Sequence, residues 1–366
     1  MHRKLIFFLT KFPIEDTMAL IERRDNMKHW RLMSLITGFL FIGSLLMSPS
    51  ASGQAKPIDL YYSNVFPAPH KVCVTSVEWG KEIEKRTNGR VKVTMFPGGT
   101  LTPGDKCYDG VVKGLSHVGL SVFGYTSGKF PLTEVIDLPL GYKSGLAATR
   151  LINEYYKKFK PKEFDEVKVM YLHANGPNLV NTKKPVNKLE DLKGMKIRAS
   201  GTVSKITQAL GATPVAMPMP DTYDALSRGV VDGVICPIEA MEGWKLGEVV
   251  KYTTQGGVAN SLAMFVVMNK EKWNSMPPDI QQIIEKINEE WIDKEGKVWD
   301  EIDASGRDFA SKRGHQIITL PSAEQARWAK AVRPLLDDYV KSMKAKGLPG
   351  DEALKFCEER LKTLQQ

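Results

Sequence analysis

The sequence predicts an α/β protein built from two domains of similar design, and three observations support this prediction. Short apolar runs typical of strands alternate with amphipathic helical segments along most of the chain. With 366 residues, of which 42% are hydrophobic and 25% charged, the chain is long enough for two packed cores. The pattern Tyr108–Gly114 recurs as Tyr223–Gly229, each ending in a basic residue and a glycine, and Val91–Thr94 resembles Met195–Arg198.

Residues 1–55 are predicted to be a signal peptide with an N-terminal extension. The basic stretch Lys28–Arg31 precedes the apolar run Leu32–Met47, and Gly53–Ala55 supplies small residues for cleavage. The run is shorter than the ~20 apolar residues that a spanning helix needs, although an uncleaved anchor is the alternative. Translation could start at Met1 or Met27. The mature chain is therefore expected in the periplasm.

The net charge is +9, and no run of Lys or Arg is interleaved with aromatic residues. This distribution argues against a nucleic-acid partner and is compatible with anionic small molecules.

The first domain is predicted to hold residues 56–176 and about 262–300. Its chain-order elements are the strand Ile58–Asn64, a helix at 72–86, the strand Val91–Phe96, a helix at 104–113 and a strand at 118–123. A helix at 147–158 and a strand at 168–174 follow. The turn at Gly176 is where the chain is expected to cross to the second domain.

The second domain is predicted to hold residues 177–261 and about 301–346. Its centre is residues 192–233. There the sequence predicts a strand at 195–198, a helix at 202–210, a strand at 213–217, a helix at 221–228 and a further strand after that helix. A strand at 263–269 returns to the first domain. A long helix begins at Pro277 and can continue to about Ala310, spanning ~45 Å for ~30 residues. One helix is predicted for 321–345, and 347–366 form a C-terminal helix.

The four cysteines contain no C-x-x-C pair, which excludes the usual zinc and redox spacings. Cys73 and Cys107 are the candidate disulfide, because both lie near the starts of predicted helices in one domain of an exported protein. Cys236 and Cys357 are expected to be buried thiols.

Motifs for nucleophilic, phosphate-binding or dinucleotide chemistry do not occur, and the six histidines have no metal-ligand spacing. The chain is therefore expected not to be an enzyme and to need no cofactor or metal. The remaining candidate function is ligand binding. Arg198 lies where a predicted strand gives way to the loop ahead of a helix, which is where open α/β sheets bind ligands. Its planar guanidinium suits a carboxylate or sulfonate. A surface salt bridge is the alternative role for this arginine. The other ligand-binding candidates at strand ends are Phe66, His70, Tyr125, Asn178, Cys236, Glu239 and Trp244.

Several motifs resemble those of the solute-binding proteins of tripartite ATP-independent periplasmic (TRAP) transporters, the DctP family. They are EKRTNGRVKV with FPGGTL, then LKGMKIR, GATPVAM, YDALSRGVVDG and WNSMPPDIQ, in order along the mature chain. The resemblance implies a two-domain periplasmic binding protein fold with a hinge, an interdomain ligand cleft and a long helix spanning both domains. It also implies a small and a large membrane subunit as partners, driven by an ion gradient.

Carried over to this sequence, the resemblance makes Arg198 the carboxylate-binding arginine. Two positions depart from the family pattern: Asn178 stands where some members have arginine, and Cys236 stands where members often have asparagine. These departures argue against a dicarboxylate or sialic acid. They favour a small hydroxy or keto acid, an aromatic acid or a sulfonate.

The sequence therefore predicts a monomeric extracytoplasmic receptor that binds a small organic anion and delivers it to TRAP membrane subunits. A periplasmic enzyme, or a receptor linked to a sensor, would be the alternative use of the same cleft.

Overall fold

The computed structural model describes residues 56–258 and 260–366, and residues 57–366 form one compact unit. The predicted signal peptide lies outside the described residues. Two mixed sheets, each covered by helices, form two lobes within this unit. The described residues contain eleven strands: β1 (Ile58–Asn64), β2 (Val91–Phe96), β3 (Val118–Val122), β4 (Val167–Ala174), β5 (Leu179–Thr182), β6 (Lys196–Ala199), β7 (Thr213–Ala216), β8 (Gly233–Cys236), β9 (Tyr252–Gln255), β10 (Ala263–Asn269) and β11 (Gln316–Thr319).

Eleven α-helices occur in the same described ranges, together with short 3-10 turns. The helices are α1 (Lys71–Arg86), α2 (Cys107–Val112), α3 (Gly145–Phe159), α4 (Thr202–Ala209), α5 (Thr222–Ser227), α6 (Ala240–Gly243), α7 (Lys270–Asn274), α8 (Pro278–Lys312), α9 (Ser322–Val332), α10 (Pro334–Ala345) and α11 (Gly350–Leu364). Most boundaries agree with the sequence prediction to within two residues.

The two sheets share the topology of five strands, which explains the internal repeat, and the second sheet adds β11 parallel to β9. The first sheet has the order β2-β1-β3-β10-β4, and the second has β7-β6-β8-β5-β9-β11. In both, two parallel pairs are followed by two antiparallel pairs. The α2–β3 and α5–β8 units are equivalent, as the repeat predicts. The match of Val91–Thr94 to Met195–Arg198 is wrong, because β2 corresponds to β7 and not to β6.

Alternate residues of β10 divide the first lobe into two cores. Met264, Val266 and Met268 join the core beneath α1 and α8, whereas Phe265 and Val267 join the core beneath α3. This alternation follows from the two-residue period of a strand. All of β10 is buried, so both faces of the first sheet are covered by helices.

Helix α8 has 35 residues and packs against both lobes. Its glycines make this contact close. A Cβ at Gly296 would lie 2.9 Å from a side-chain carbon of Leu146 in the first lobe, and one at Gly306 would lie 2.6 Å from the Glu239 Cα in the second. Such distances exclude any side chain without movement of the backbone. The long helix predicted from the sequence is therefore a support shared by both lobes.

Within the described residues the chain passes between the lobes after β4, after β9, along α8, and between α9 and α10. The first two crossings run side by side. The Asn178 backbone N–H donates to the Asn260 carbonyl at 2.8 Å, and the Asn175 side-chain oxygen accepts from the Leu262 N–H at 2.8 Å. These amide contacts define the hinge region.

Two details of the C-terminal region differ from the prediction. The helix predicted for residues 321–345 is divided at Arg333, because Pro334 has no N–H to continue the hydrogen-bond ladder and instead begins α10. Helix α10 then packs into the core of the first lobe through Leu336, Tyr339 and Met343, although residues up to 346 were assigned to the second domain. The chain returns to the first lobe earlier than predicted.

Cys73 and Cys107 are free thiols, so the candidate disulfide is not formed. The reason is that they belong to different cores: Cys73 on α1 packs on one face of the first sheet, and Cys107 on α2 packs on the other. The Cys107 thiol donates instead to the carbonyl oxygens of Ser63 and Leu120. Cys236 and Cys357 are buried thiols, as predicted.

Candidate functional site

A narrow cavity of about 40 Å³ lies between the lobes. The carboxyl ends of β1, β3, β6 and β8 meet around it, which is where open α/β sheets place ligand contacts. Its walls combine a few polar groups with many apolar side chains. The lining residues are Val65, Phe66, Val122, Tyr125, Asn175, Arg198, Met219, Cys236, Pro237, Glu239, Trp244, Leu262, Met264 and Trp299.

Arg198 supplies the positive charge of the cavity. It occupies the third position of β6 and is only 2% exposed. Its Nε and Nη2 donate to the Met217 carbonyl oxygen at 3.0 and 2.8 Å. Among the described residues no carboxylate forms a salt bridge with it. A buried cation held only by neutral groups favours an anionic ligand, and the Nη1 edge is the part of the guanidinium that is available for it.

Tyr125 brings the first lobe to this arginine. It lies in the 3-10 turn after β3, and its hydroxyl oxygen accepts from Arg198 Nη2 at 3.3 Å and from the Met219 N–H at 2.9 Å. With both acceptor positions in use, the Tyr125 hydroxyl hydrogen is directed elsewhere. It can donate to an anion that Arg198 binds.

Glu239 and His70 form a buried pair across the lobes. His70 caps the start of α1: its Nδ1 accepts from the Val72 N–H at 3.2 Å. A ring nitrogen that accepts cannot carry a hydrogen, so this contact assigns the proton to Nε2. Nε2 then donates to Glu239 Oε2 at 3.0 Å. In this arrangement the imidazole has a single proton, on Nε2, and Glu239 Oε2 is the acceptor.

Cys236 and Asp303 flank this carboxylate. Burial, with the nearby charge of Glu239, raises the pKa of the Cys236 thiol well above its usual range. Burial, and then the charge of Glu239, raise the pKa of Asp303 to about 7. Asp303 Oδ1 accepts from the Glu239 backbone N–H at 3.1 Å, so α8 positions the loop that carries Glu239.

Aromatic rings form most of the apolar wall. The Phe66 ring lies 5.6 Å from that of Trp244 and 6.0 Å from that of Trp299, centroid to centroid. The Trp299 indole N–H donates to His173 Nδ1 at 2.9 Å, which leaves the ring faces for packing. Such a wall suits a flat or compact apolar body.

The lobes touch at the rim of the cavity through glycines. The Cα of Gly201 lies 3.2 Å from the position a Cβ would take at Gly124, and Gly201 has φ +53°. At this point the main chains of the two lobes are in direct contact. Beside it, Lys205 and Glu134 form an exposed ion pair across the rim at 3.1 Å.

The structure brings six of the eight predicted ligand-binding residues to the cavity wall: Phe66, Tyr125, Arg198, Cys236, Glu239 and Trp244. His70 lies behind Glu239 and lines an outer pocket of about 500 Å³. Asn178 is a correction: its side chain donates to the Asn260 side-chain oxygen at 3.2 Å in the hinge, and it faces another cavity behind the lobes.

Sequence reasoning missed other wall residues, above all Trp299, Asn175 and Met219. Trp299 lies within the apolar stripe of α8. Its position in the sequence therefore does not distinguish it from a tryptophan that packs in the core. Asn175 directly precedes the turn predicted at Gly176. Its place at the end of a strand, next to that turn, could have identified it as a cavity residue.

A buried cation, a hydroxyl donor and an aromatic wall can together hold a small organic anion. The cavity is closed by two lobes on a hinge, so binding can be coupled to their relative movement. No helix of the described residues is long and apolar enough to cross a membrane.

A family model described as bacterial extracellular solute-binding protein, family 7 (DctP), matches residues 62–342. Among curated relatives, the C4-dicarboxylate-binding periplasmic protein DctP of Rhodobacter capsulatus is 26% identical over 324 residues, covering 85% of this chain and 95% of that protein. The 2,3-diketo-L-gulonate-binding periplasmic protein YiaO of Escherichia coli is 26% identical over 331 residues, covering 88% and 98%.

Two solved structures are similar throughout. A TRAP solute-binding protein of Desulfovibrio salexigens, an open complex with the C-terminus of a symmetry mate in its ligand-binding site, is 36% identical with a TM-score of 0.74, covering 83% of this chain and 95% of that one. A TRAP solute-binding protein of Rhodoferax ferrireducens in complex with copurified benzoate is 27% identical with a TM-score of 0.80, covering 84% and 98%.

Proposed function

Since the chain belongs to the DctP family of bacterial extracellular solute-binding proteins, family 7, we propose that it is the extracytoplasmic receptor of a TRAP transporter for a small organic monoanion. The single observation that carries this proposal is Arg198, a buried cation with no carboxylate partner among the described residues, facing a cavity between two hinged lobes. The ligand's anionic group supplies the missing negative charge.

An aromatic carboxylate is the ligand class that the lining of the cavity supports best, and the lobes must move apart to admit it, because the cavity of about 40 Å³ has room for only a few water molecules. Phe66, Trp244 and Trp299 offer ring faces to the body of the ligand, while Arg198 Nη1 and the Tyr125 hydroxyl hold its carboxylate. The similar Rhodoferax protein contains benzoate. Sulfonates present the same charge and remain in the set of compounds to be tested.

Binding and closure account for the whole activity, so the proposed receptor catalyses no reaction. Ligand contacts with Tyr125 in one lobe and Arg198 in the other stabilise the closed arrangement. The closed monomer then delivers the anion to a small and a large membrane subunit, which use an ion gradient for uptake. Export through the N-terminal signal peptide places the receptor in the periplasm.

A thermal-shift screen of carboxylates and sulfonates on the purified mature protein tests the proposal. Benzoate or a related acid should raise the melting temperature, and Arg198→Ala should abolish this increase while the unliganded protein still unfolds cooperatively. Arg198→Lys should also bind weakly, because a single ammonium cannot reproduce the planar contact.

Arg228→Ala is the matched control, since Arg228 is an exposed arginine of the same lobe. Its ligand response should equal that of the wild type. An undiminished response in Arg198→Ala would contradict the proposed function.

A further inference from the structure

We propose that Glu239, oriented by His70, recognises a hydrogen-bond donor on the ligand and rejects a second anionic group, so that the preferred ligands are hydroxyl-bearing aromatic monocarboxylates. This inference rests on the proposed function and concerns the end of the ligand that Arg198 does not bind.

The hydrogen bonds of His70 determine the charge in this part of the cavity. Because Nδ1 accepts from Val72, His70 donates from Nε2 and cannot neutralise Glu239 with a positive charge of its own. Among the described residues this neutral imidazole is the only side chain that forms a salt-bridge-range contact with Glu239. Glu239 therefore presents a carboxyl group that is fixed in place and has no cationic partner among the described residues.

Glu239 is only 3% exposed; it lines the ligand cavity together with Arg198 and separates that cavity from the outer pocket, which it also lines. Its Oε2 is occupied by His70, so Oε1 is the atom that remains for a ligand. A buried carboxylate gains most from an O–H or N–H donor and loses most when a bound ligand leaves it without one. A ligand with a hydroxyl at this end satisfies Glu239, whereas a bare ring does not.

The same charge disfavours dicarboxylates. A second ionised carboxylate would lie against Glu239 in a water-poor cavity, where like charges repel strongly. Asp303 does not line this cavity; its Oδ1 accepts from the Glu239 backbone N–H and holds the loop that carries Glu239 in place. Cys236 cannot compensate, since its buried thiol is neutral. The cavity thus holds one positive site for one carboxylate.

Isothermal titration calorimetry on the mature protein tests this assignment with compounds that differ at one position: benzoate, 3-hydroxybenzoate, 4-hydroxybenzoate and isophthalate, plus the aliphatic pair propanoate and lactate. In the wild type, at least one hydroxylated compound should bind about tenfold or more tighter than its unsubstituted partner, the range of a hydrogen bond to a charged group. Isophthalate should bind more weakly than benzoate.

Glu239→Gln should reduce the hydroxyl preference to less than about threefold and should strengthen isophthalate binding relative to benzoate. Glu242→Gln is the matched control: Glu242 is exposed, lies three residues further on in α6, and lines the outer pocket but not the ligand cavity. It should keep both wild-type ratios.

Equal binding of hydroxylated and unsubstituted acids by the wild type would overturn the inference without any variant. Unchanged ratios in folded Glu239→Gln would do the same. In both cases Arg198-dependent binding of benzoate would leave the proposed receptor function intact. If no acid binds in an Arg198-dependent way, the proposed function and the inference fail together.

Discussion

Tyr125 connects the two lobes through a single oxygen atom. Its hydroxyl accepts from Arg198 Nη2 and from the Met219 N–H, both in the second lobe, while its ring belongs to the first. The phenol therefore orients the guanidinium and holds the segment after β7 at the same time. Under the proposed function, its remaining hydrogen donates to the bound anion.

Tyr125→Phe should lower affinity for benzoate by about tenfold, because the anion loses one donor. The melting temperature of the unliganded protein should fall by a few degrees at most, because the Met219 N–H loses its acceptor. Calorimetric titration beside Tyr223→Phe measures this effect, since the Tyr223 hydroxyl reaches only Glu248 on the surface. Wild-type affinity in Tyr125→Phe would show that the phenol makes no contact with the ligand.

Residues at strand ends were more predictable than residues on helices. Arg198 and Cys236 lie at the carboxyl ends of recognisable strands and Tyr125 follows one, and the carboxyl ends of parallel strands meet at one edge of a sheet. Trp299 could not be separated from core residues, because a buried tryptophan on an amphipathic helix has the same pattern whether it faces a core or a cavity. Asn178 was misplaced because its partner Asn260 is distant in sequence.

Glycine determines the conformation of two turns at the rim of the cavity. One is the turn after β3, and the other lies between β6 and α4. Gly201 has φ +53° and ψ −133°, a conformation that is open to glycine and costly for other residues. A Cβ at this position would lie 2.7 Å from the Gly124 Cα. The two turns can approach this closely because Gly124 and Gly201 have no side chains.

Gly201→Ala should hold the lobes apart and weaken ligand binding by tenfold or more. Small-angle scattering should give a larger radius of gyration in the presence of ligand than for the wild type. Gly194→Ala is the matched control: Gly194 also has positive φ, at +81°, but nothing lies within 4 Å of its Cβ position. Equal behaviour of the two variants would mean that backbone strain, and not contact at the rim, causes the loss.

Local elements were largely predictable, because their apolar periods and glycine stops are short-range signals. The pairing of strands was not. β10 pairs between β3 and β4 of the first sheet, although β5 to β9, five of the six strands of the second sheet, lie between β4 and β10 in the chain. The helix break at Pro334 was missed because an apolar period continued across it, although the proline itself was a sufficient signal.

Across the whole molecule, buried acids link stability to pH. Glu295 on α8 is fully buried, and neither of its carboxyl oxygens has a hydrogen-bond partner among the described residues. Burial raises its pKa from the ordinary 4.5 to about 8. The folded state therefore holds this proton more tightly than the unfolded chain does.

The free energy of unfolding should fall as pH rises from 4.5 to 8, by roughly 3 to 5 kcal/mol for Glu295 alone, and then level off. Urea unfolding at several pH values measures this slope. Glu295→Gln should remove the Glu295 contribution to this slope, and the burial-raised pKa values of Asp137 and Asp303 should maintain a comparable part of it. Glu289→Gln, an exposed position on the same helix, should leave the slope unchanged. If the free energy of unfolding of Glu295→Gln depended on pH as steeply as that of the wild type, Glu295 would not be a source of the pH dependence.

The repeated passage of the chain between the lobes has a consequence for recombination. Neither lobe is a continuous stretch of gene: the first lobe needs β10 and α10 from beyond the second sheet, and both need their share of α8. A fragment ending at Ala174 would lack the strand between β3 and β4. Exchanging ligand preference between related receptors therefore requires transplanting separate segments, and a single crossover would join two incomplete halves.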